Sequence, residues 1–258
     1  MSPDTKLSPA KKAIVGVQFL FVAFGATVLV PLLVGMDPST ALFVAGVGTL
    51  IFHLVTKGIV PIFLGSSFAF IAPIITATQL YGLSGTLSGL IGVALVYFIT
   101  SALVKWQDIK IIEKLFPPVV VGPVIILIGL SLAKTGVSMA ESNWIIALIS
   151  LITAVFVSIK AKGLLRLIPI FCGIIAGYIT ALLFFEVDLK PVRDAAWFSL
   201  PQFTFPEISW EPILFMIPVA IAPVIEHIGD VYVVNSVTGK NFIKSPGLHR
   251  TLFGDGLA

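Results

Sequence analysis

Residues 61–80 read PIFLGSSFAFIAPIITATQL. The stretch is long and apolar enough to cross a bilayer as one helix, which needs about 20 residues. It nevertheless contains Pro61, Gly65 and Pro73, and proline inside a helix removes a backbone hydrogen bond. An interrupted segment of membrane length predicts irregular backbone at membrane depth, which is tolerated only where protein or a cavity surrounds it.

The centre of this stretch predicts a local break in the helix. We expect residues 68–71 to be extended, because the positions before a proline disfavour the helical region. A short half-helix would then begin at Pro73, since proline suits a first turn. Phe68 and Phe70 would point the same way, and either ring would stack on a flat ligand. Ordinary aromatic packing is the alternative.

The composition of the whole chain excludes a soluble protein. Hydrophobic residues make up 57% of the 258 residues and charged residues 11%, and the mean hydropathy is +1.08. Soluble domains carry about 25% charged residues, so too little charge is present here for a solvated shell. The net charge of +3 comes from scattered basic residues without a nucleic-acid-binding patch. The sequence therefore predicts an all-α membrane protein in contact with the lipid bilayer and not with nucleic acid.

Apolar blocks of membrane length repeat along the chain. We predict spans near 13–34, 40–56, 61–80, 85–104, 117–133, 144–159, 167–185 and 211–227, and a ninth that begins at His249. With the N-terminus in the cytoplasm, 13 of the 16 Lys and Arg residues fall inside and three fall outside. This asymmetry is what the positive-inside rule expects of a multi-pass protein in the cytoplasmic membrane.

The eighth span carries the strongest candidate for chemistry. It contains Pro218 and Pro223 and ends in Glu226-His227-Ile228-Gly229-Asp230. A carboxylate in an apolar span usually faces a cavity or a proton path, and a solvated interfacial acid is the alternative. Asp230 shares a helix face with Glu226 if the helix continues, and lies in a loop if the helix ends at Gly229.

Other reactive groups are sparse. The single Cys172 lies in an apolar block, so a disulfide framework is excluded. His227 has no further ligands near it in the sequence, so we expect no metal and no cofactor. The sequence also lacks a nucleophile–base motif and a phosphate-binding loop, which argues against an enzyme.

Several motifs resemble those of the nucleobase–ascorbate transporter family, close to its bacterial uracil and xanthine permeases. The motifs are FGATVLVP at 24–31, GSSFAF at 65–70, FPP at 116–118, EHIGD at 226–230 and PGLHR at 246–250. The resemblance implies two inverted seven-helix repeats, a core and a gate domain, proton symport and a homodimer.

Carried over to this chain, the resemblance implies a set of site residues. Glu226 would bind the pyrimidine ring, Phe68 would stack on the base beside Ser67, and Ala26 would line the pocket. Glu226 and Asp230 would couple the proton. The helix breakers at the site would be Pro73, Gly65, Pro223 and Gly229. A base held between an aromatic face and a carboxylate that accepts its N–H groups agrees with the reading of the residues themselves.

The resemblance also divides the chain. We expect a cytoplasmic N-terminus at 1–12, core helices at 13–104, gate helices at 117–185, an extracellular loop at 186–210, and core helix 8 with the start of helix 9 at 211–258. The sequence would thus be truncated after the start of the ninth helix. It would hold the first repeat and the eighth helix, without the second base-binding acid of the family.

Two residues depart from the family pattern of uracil carriers. Asp230 stands where they usually have a histidine, and Phe19 follows Gln18 where many relatives have Gln-His. Proton-coupled uracil uptake is the function we predict. Transport of xanthine or another purine, a non-transporting truncated product, and an anion transporter of the same architecture are the alternatives.

Overall fold

The computed structural model describes residues 25–107, 118–162, 165, 168–196 and 200–258, and its regular elements are helices. The α-helices are α1 Gly25–Val34, α2 Pro38–Val55, α3 Ile71–Gln107, α4 Pro118–Ala140, α5 Trp144–Lys160, α6 Pro169–Phe184, α7 Lys190–Asp194, α8 Trp210–Met216, α9 Ile221–Thr238 and α10 Leu248–Leu257. Short 3-10 turns cover Phe68–Phe70 and Pro218–Ala220, and a π turn covers Ile243–Gly247. The prediction of an all-α fold is confirmed for these residues.

Four helical segments within the described residues are long and apolar enough to cross a membrane. They are Pro38–Val55, Phe68–Gln107, Gly122–Ala140 and Trp210–Thr238. Gly25–Val34, Trp144–Lys160 and Pro169–Phe184 are apolar but shorter. Helices overlap the predicted blocks at 40–56, 85–104, 117–133, 144–159, 167–185 and 211–227, whereas residues 61–67 of the predicted third span are not helical. Residues 13–24 of the first block lie outside the described residues.

The segment Phe68–Gln107 has 40 residues, and a straight helix of that length would extend for about 60 Å, twice the thickness of a bilayer core. Gly82 interrupts it with φ 71° and ψ 176°. The hydroxyl oxygens of Thr78 and Thr86 lie 3.1 Å apart although eight residues separate them, a gap of about 12 Å along a straight helix. The chain therefore bends sharply at Gly82, between the predicted third and fourth spans.

The described residues divide into two compact units. The first lies within Ala26–Leu130 and Pro201–Ala258, and the second comprises Gly25 and the described part of Ser131–Leu200.

The first unit is packed on glycines of α3. A Cβ added at Gly89 would lie 2.8 Å from the Pro212 carbonyl oxygen, and one added at Gly92 would lie 2.9 Å from that of Ile213. These small residues allow the backbones of α3 and α8 to approach closely, as is common between membrane helices.

The second unit contains α5 and α6, which are consecutive in sequence and pack against each other in an antiparallel arrangement. A Cβ at Gly173 of α6 would lie 2.7 Å from the Ser150 carbonyl oxygen on α5. Most large apolar side chains of the two helices are exposed in this structure, including Ile152 and Phe156. Apolar surface of this kind suits contact with lipid.

Helix α2 begins with a carboxylate cap. Asp37 accepts hydrogen bonds from the N–H groups of Ser39 and Thr40, and from the Thr40 hydroxyl at 2.8 Å. The hydrogen bond from the Thr40 side chain, followed by the one from the Ser39 backbone, holds the pKa of Asp37 below its ordinary value. The cap therefore binds the first turn through the charged form of the residue.

The predicted extended segment at residues 68–71 is wrong. Phe68–Phe70 forms a 3-10 turn and Ile71 is helical, whereas the extended backbone is at Ser67, with φ −86° and ψ 134°. Helix α3 starts at Ile71 and not at Pro73. Proline is tolerated at its third position because the first N–H groups of a helix have no intrahelical partner.

The expected break near Gly229 is also wrong. Helix α9 continues through Gly229 to Thr238 and ends at Gly239, which has a left-handed φ of 68°. One glycine inside a helix costs only about 1 kcal/mol relative to alanine, so buried neighbours outweigh it. Pro223 does not interrupt α9 either. The 3-10 turn Pro218–Ala220 tightens the helical path just before it without unwinding it.

Candidate functional site

Ser67 ends the non-helical stretch that follows α2. Its backbone is extended, and its hydroxyl oxygen accepts the N–H of Ala69 at 3.2 Å. This arrangement caps the 3-10 turn that leads into α3, because serine readily binds the free N–H groups at a helix start. The cap fixes the position of the hydroxyl at the N-terminal end of the helical run Phe68–Gln107.

Glu226 on α9 meets this cap. The Ser67 hydroxyl donates to Glu226 Oε2 at 2.6 Å, across 159 residues of sequence. A hydroxyl that donates to a carboxylate makes a short, charge-assisted hydrogen bond. Two residues that the sequence placed in one site are therefore in direct contact.

The contact lies at the N-terminal end of a helical run. The N-terminal end of a helix carries partial positive charge, and Ser67 lies at that end of the α3 run. Glu226 is half-buried, and among the described residues none donates a hydrogen bond to its Oε1. Oε2 is held by Ser67, and each oxygen of a carboxylate can accept a hydrogen bond.

Gly65 connects the site with α1. A Cβ at Gly65 would lie 3.0 Å from Thr27 Oγ1, so the backbone of the stretch before Ser67 packs closely against α1. Ala26 precedes Thr27 on that helix and is half-buried. Ala26 is therefore placed near the stretch that carries Ser67.

Phe68 directly follows Ser67 and is half-buried at the start of the 3-10 turn. Because this turn is helical, Phe68 and Phe70 do not have the alternating geometry of an extended strand, and the expectation that they point the same way is wrong. Phe70 instead lines a cavity of about 350 Å³ whose wall includes Tyr97 and Asp255.

Asp230 lies one turn beyond Glu226 on the continuous helix α9. The structure therefore supports the alternative in which the two acids share a helix face. Asp230 is exposed whereas Glu226 is half-buried. Gln18 and Phe19, which the sequence also singled out, lie outside the described residues.

Sequence reasoning missed one polar cluster. His227 is buried on α9 and contacts Asp255 and Thr251 of α10. Sequence spacing offered one signal, since Thr251 and Asp255 are four residues apart and so share a helix face. No group of three metal-ligating side chains is found in the parts of the chain that the structure describes.

Comparisons with known proteins agree with this architecture. Residues 10–258 match the family model Xan_ur_permease, described as "Permease family". The chain is 52% identical to "Probable uracil permease" of Haemophilus influenzae, over 97% of this chain and 63% of that protein. It is 46% identical to "Uracil permease" of Bacillus caldolyticus, over 93% and 59%, and 36% identical to "Uracil permease" of Escherichia coli K12, over 93% and 58%. The chain thus spans about three fifths of the length of these relatives.

Proposed function

Because this chain belongs to the family of xanthine and uracil permeases, we propose that it takes part in proton-coupled uptake of uracil across the cytoplasmic membrane. Membership of a permease family supports a multi-pass membrane protein that acts as a transporter and not as an enzyme. The proposal of uracil draws on the names of the similar proteins, which are uracil permeases.

The hydrogen bond between Ser67 and Glu226 is the observation that supports this function best. Uracil presents ring N–H groups and carbonyl oxygens, and a carboxylate accepts N–H groups strongly. With Oε2 held by Ser67 at 2.6 Å, Oε1 is oriented before the substrate arrives. A preoriented group loses less entropy on binding, which raises affinity. Phe68 and Ala26 complete the proposed pocket as the stacking ring and the small lining residue.

The finer architecture belongs to the same proposal. We infer inverted seven-helix repeats with core helices at 13–104 and 211–258 and gate helices at 117–185. The two compact units support such a division, although residues 118–130 fall with the first unit. The proposal also includes a cytoplasmic N-terminus, an extracellular loop at 186–210 and a homodimer. The cytoplasmic location of the N-terminus rests on the distribution of Lys and Arg residues.

The test is binding of radiolabelled uracil to the purified 258-residue chain and to its Glu226→Gln variant. Loss of a hydrogen bond to a charged group costs about 1.5–3 kcal/mol, so we expect affinity to fall about 10- to 100-fold. Glu207→Gln makes the same chemical change at an exposed residue and serves as the control. Unlabelled xanthine at equal concentration should compete poorly with uracil.

Equal uracil affinity in Glu226→Gln and Glu207→Gln would remove Glu226 from the site. Displacement of uracil by xanthine at lower concentrations than by uracil itself would reverse the substrate order. Uptake in a strain that lacks its own uracil permease then tests transport, with the same two variants compared at equal amounts in the membrane.

A further inference from the structure

His227 is a buried histidine whose two ring nitrogens both have partners. Its side chain is 7% exposed, and Nδ1 lies 2.9 Å from Asp255 Oδ2. Nε2 lies 3.0 Å from Thr251 Oγ1. Both partners stand four residues apart on α10, so one face of that helix binds the whole imidazole ring.

The chemistry of the partners determines where hydrogens can lie. An ionised carboxylate only accepts hydrogen bonds, so His227 Nδ1 carries a hydrogen and donates it to Asp255. The Thr251 hydroxyl has one hydrogen, and Oγ1 lies 3.0 Å from both the Leu248 carbonyl oxygen and His227 Nε2. It donates to one of these two acceptors at a time.

Two states of the cluster therefore have every hydrogen bond satisfied. In the first, His227 is neutral and Nε2 accepts the hydrogen of the Thr251 hydroxyl. In the second, a proton from water has bonded to the lone pair of Nε2, the new N–H donates to Thr251 Oγ1, and the hydroxyl hydrogen has turned to the Leu248 carbonyl. The donor is a hydronium ion, so one O–H bond breaks as the N–H bond forms, and the reverse movement returns the proton to water.

The carbonyl is satisfied in either state. Leu248 begins helix α10, and a carbonyl at that position also accepts the N–H group four residues later. Rotation of the Thr251 hydroxyl thus leaves no buried polar group without a partner, which would otherwise be costly.

The groups that face His227 are mainly acidic. Glu226 and Asp230 are on its own helix, Asp255 is on α10, and the ring of Tyr97 on α3 lies edge-on with its centroid 6.2 Å away. Asp230 interacts electrostatically with Glu226, His227 and Asp255. Within the described residues, no Lys or Arg forms an ion pair with these three acids. The charged side chains around the imidazole are therefore carboxylates, which attract a positive charge.

Asp255 is the partly accessible member of the cluster. Its side chain is 24% exposed, and together with Tyr97 it lines the cavity of about 350 Å³. Thr251, the partner of Nε2, is fully buried, so a proton reaches Nε2 when the packing around Thr251 opens locally.

We propose that His227, Asp255 and Thr251 form a second proton-binding site of the transporter, in addition to the pair Glu226 and Asp230 that the family resemblance implies, with the proton held at His227 Nε2. The proposal rests on the proposed proton-coupled function for its role in uptake, but not for proton binding itself. Because His227 is adjacent to Glu226 on α9, protonation changes the charge beside the proposed uracil-binding carboxylate. It also turns the contact between α9 and α10 into a full ion pair, which links the proton to the position of α9.

The first experiment is nitrogen NMR of the 258-residue chain labelled with ¹⁵N-histidine, in detergent micelles, across pH 5–9. The sequence contains three histidines, so His227→Gln assigns the ring of interest. We expect Nδ1 to stay protonated and Nε2 to titrate. Asp255→Asn should lower the doubly protonated fraction at each pH, whereas His249→Gln, at a half-buried residue of the same helix, should leave it unchanged.

The role of Thr251 has its own pair of variants. Thr251→Val removes the hydroxyl and should lower the doubly protonated fraction, and Thr251→Ser should restore it. Failure of Nε2 to titrate in this range, or equal spectra in wild type, Asp255→Asn and Thr251→Val, would overturn the proton-binding site.

A second experiment tests coupling by measuring uracil binding and uptake at external pH 5.5 and 7.5. We expect His227→Gln and Thr251→Val to bind uracil while uptake loses most of its dependence on pH. Unchanged pH dependence in both variants would overturn the coupling role. Absence of uracil binding in wild type would instead contradict the proposed function, and the NMR titration would still decide whether the proton site exists.

Discussion

Ser67→Ala is the most informative single substitution, because one hydroxyl makes two structural contacts. It donates to Glu226 Oε2 at 2.6 Å and accepts the N–H of Ala69 at 3.2 Å. Loss of a hydrogen bond to a charged group costs about 1.5–3 kcal/mol, and loss of a serine cap costs about 1 kcal/mol. We expect Ser67→Ala to destabilise the protein by about 2–4 kcal/mol.

The same variant should weaken uracil binding. Without its partner, the Glu226 carboxylate rotates and orients its second oxygen less well, which we expect to cost about 1.4 kcal/mol, or a factor of about 10 in affinity. The control is Ser66→Ala, which makes the same chemical change one position earlier, at a half-buried residue whose hydroxyl has no hydrogen-bond partner among the described residues.

The assay follows thermal unfolding of the purified chain by differential scanning calorimetry, because Ser67 and Glu226 lie in the first compact unit and calorimetry detects the unfolding of that unit directly. At about 2–4 °C per kcal/mol, the midpoint for Ser67→Ala should lie about 4–16 °C below wild type. If Ser67→Ala and Ser66→Ala unfold at the same temperature and bind uracil equally, the argument for a shared site with Glu226 is refuted.

Three further predictions follow from other parts of the chain. Phe68→Ala should weaken uracil affinity by about 1–3 kcal/mol if the ring stacks on the base, measured by equilibrium binding, and Phe68→Tyr should retain most of it. Gly89→Val should lower the unfolding midpoint by overpacking against the Pro212 carbonyl, at a cost of about 1–3 kcal/mol; Gly122→Val, with open space around its Cβ position, should not. The pKa of Asp37 in the folded protein is below its ordinary value of 3.8, so the charged carboxylate stabilises α2 at pH values above 3.8. This stabilisation is lost as the pH falls through the lower pKa of the folded state. Between pH 5 and 3, wild type should therefore lose more thermal stability than Asp37→Asn, and equal losses would contradict the cap.

Much of the fold was accessible from the sequence because lipid imposes a simple rule. Backbone groups in a bilayer must be paired within a segment, so long apolar blocks become helices. The block at 40–56 corresponds to α2 at Pro38–Val55, and the block at 144–159 to α5 at Trp144–Lys160. Gly82, between two predicted spans, is where the helical path bends.

Local rules failed where they competed with tertiary packing. The prolines near residue 73 predicted an extended segment at 68–71, but a helix can start two residues before a proline without losing a hydrogen bond. Gly229 predicted a possible end of α9, yet α9 continues between buried Ile228 and Val231. Propensity is a weak signal, and contacts formed by the folded chain override it.

The sequence by itself determined that this is a helical membrane protein. It also identified the ionisable residues whose burial in lipid costs free energy, and the family motifs that contain them. Tertiary structure decided which of them meet: Ser67 with Glu226 across 159 residues, and His227 with Asp255 and Thr251. The physical reason is that hydropathy acts on each segment separately, whereas a hydrogen bond depends on the relative position of two side chains within a few tenths of an ångström. That position is set by packing between helices, through contacts such as those of Gly89 with α8, and no pattern within one helix encodes it.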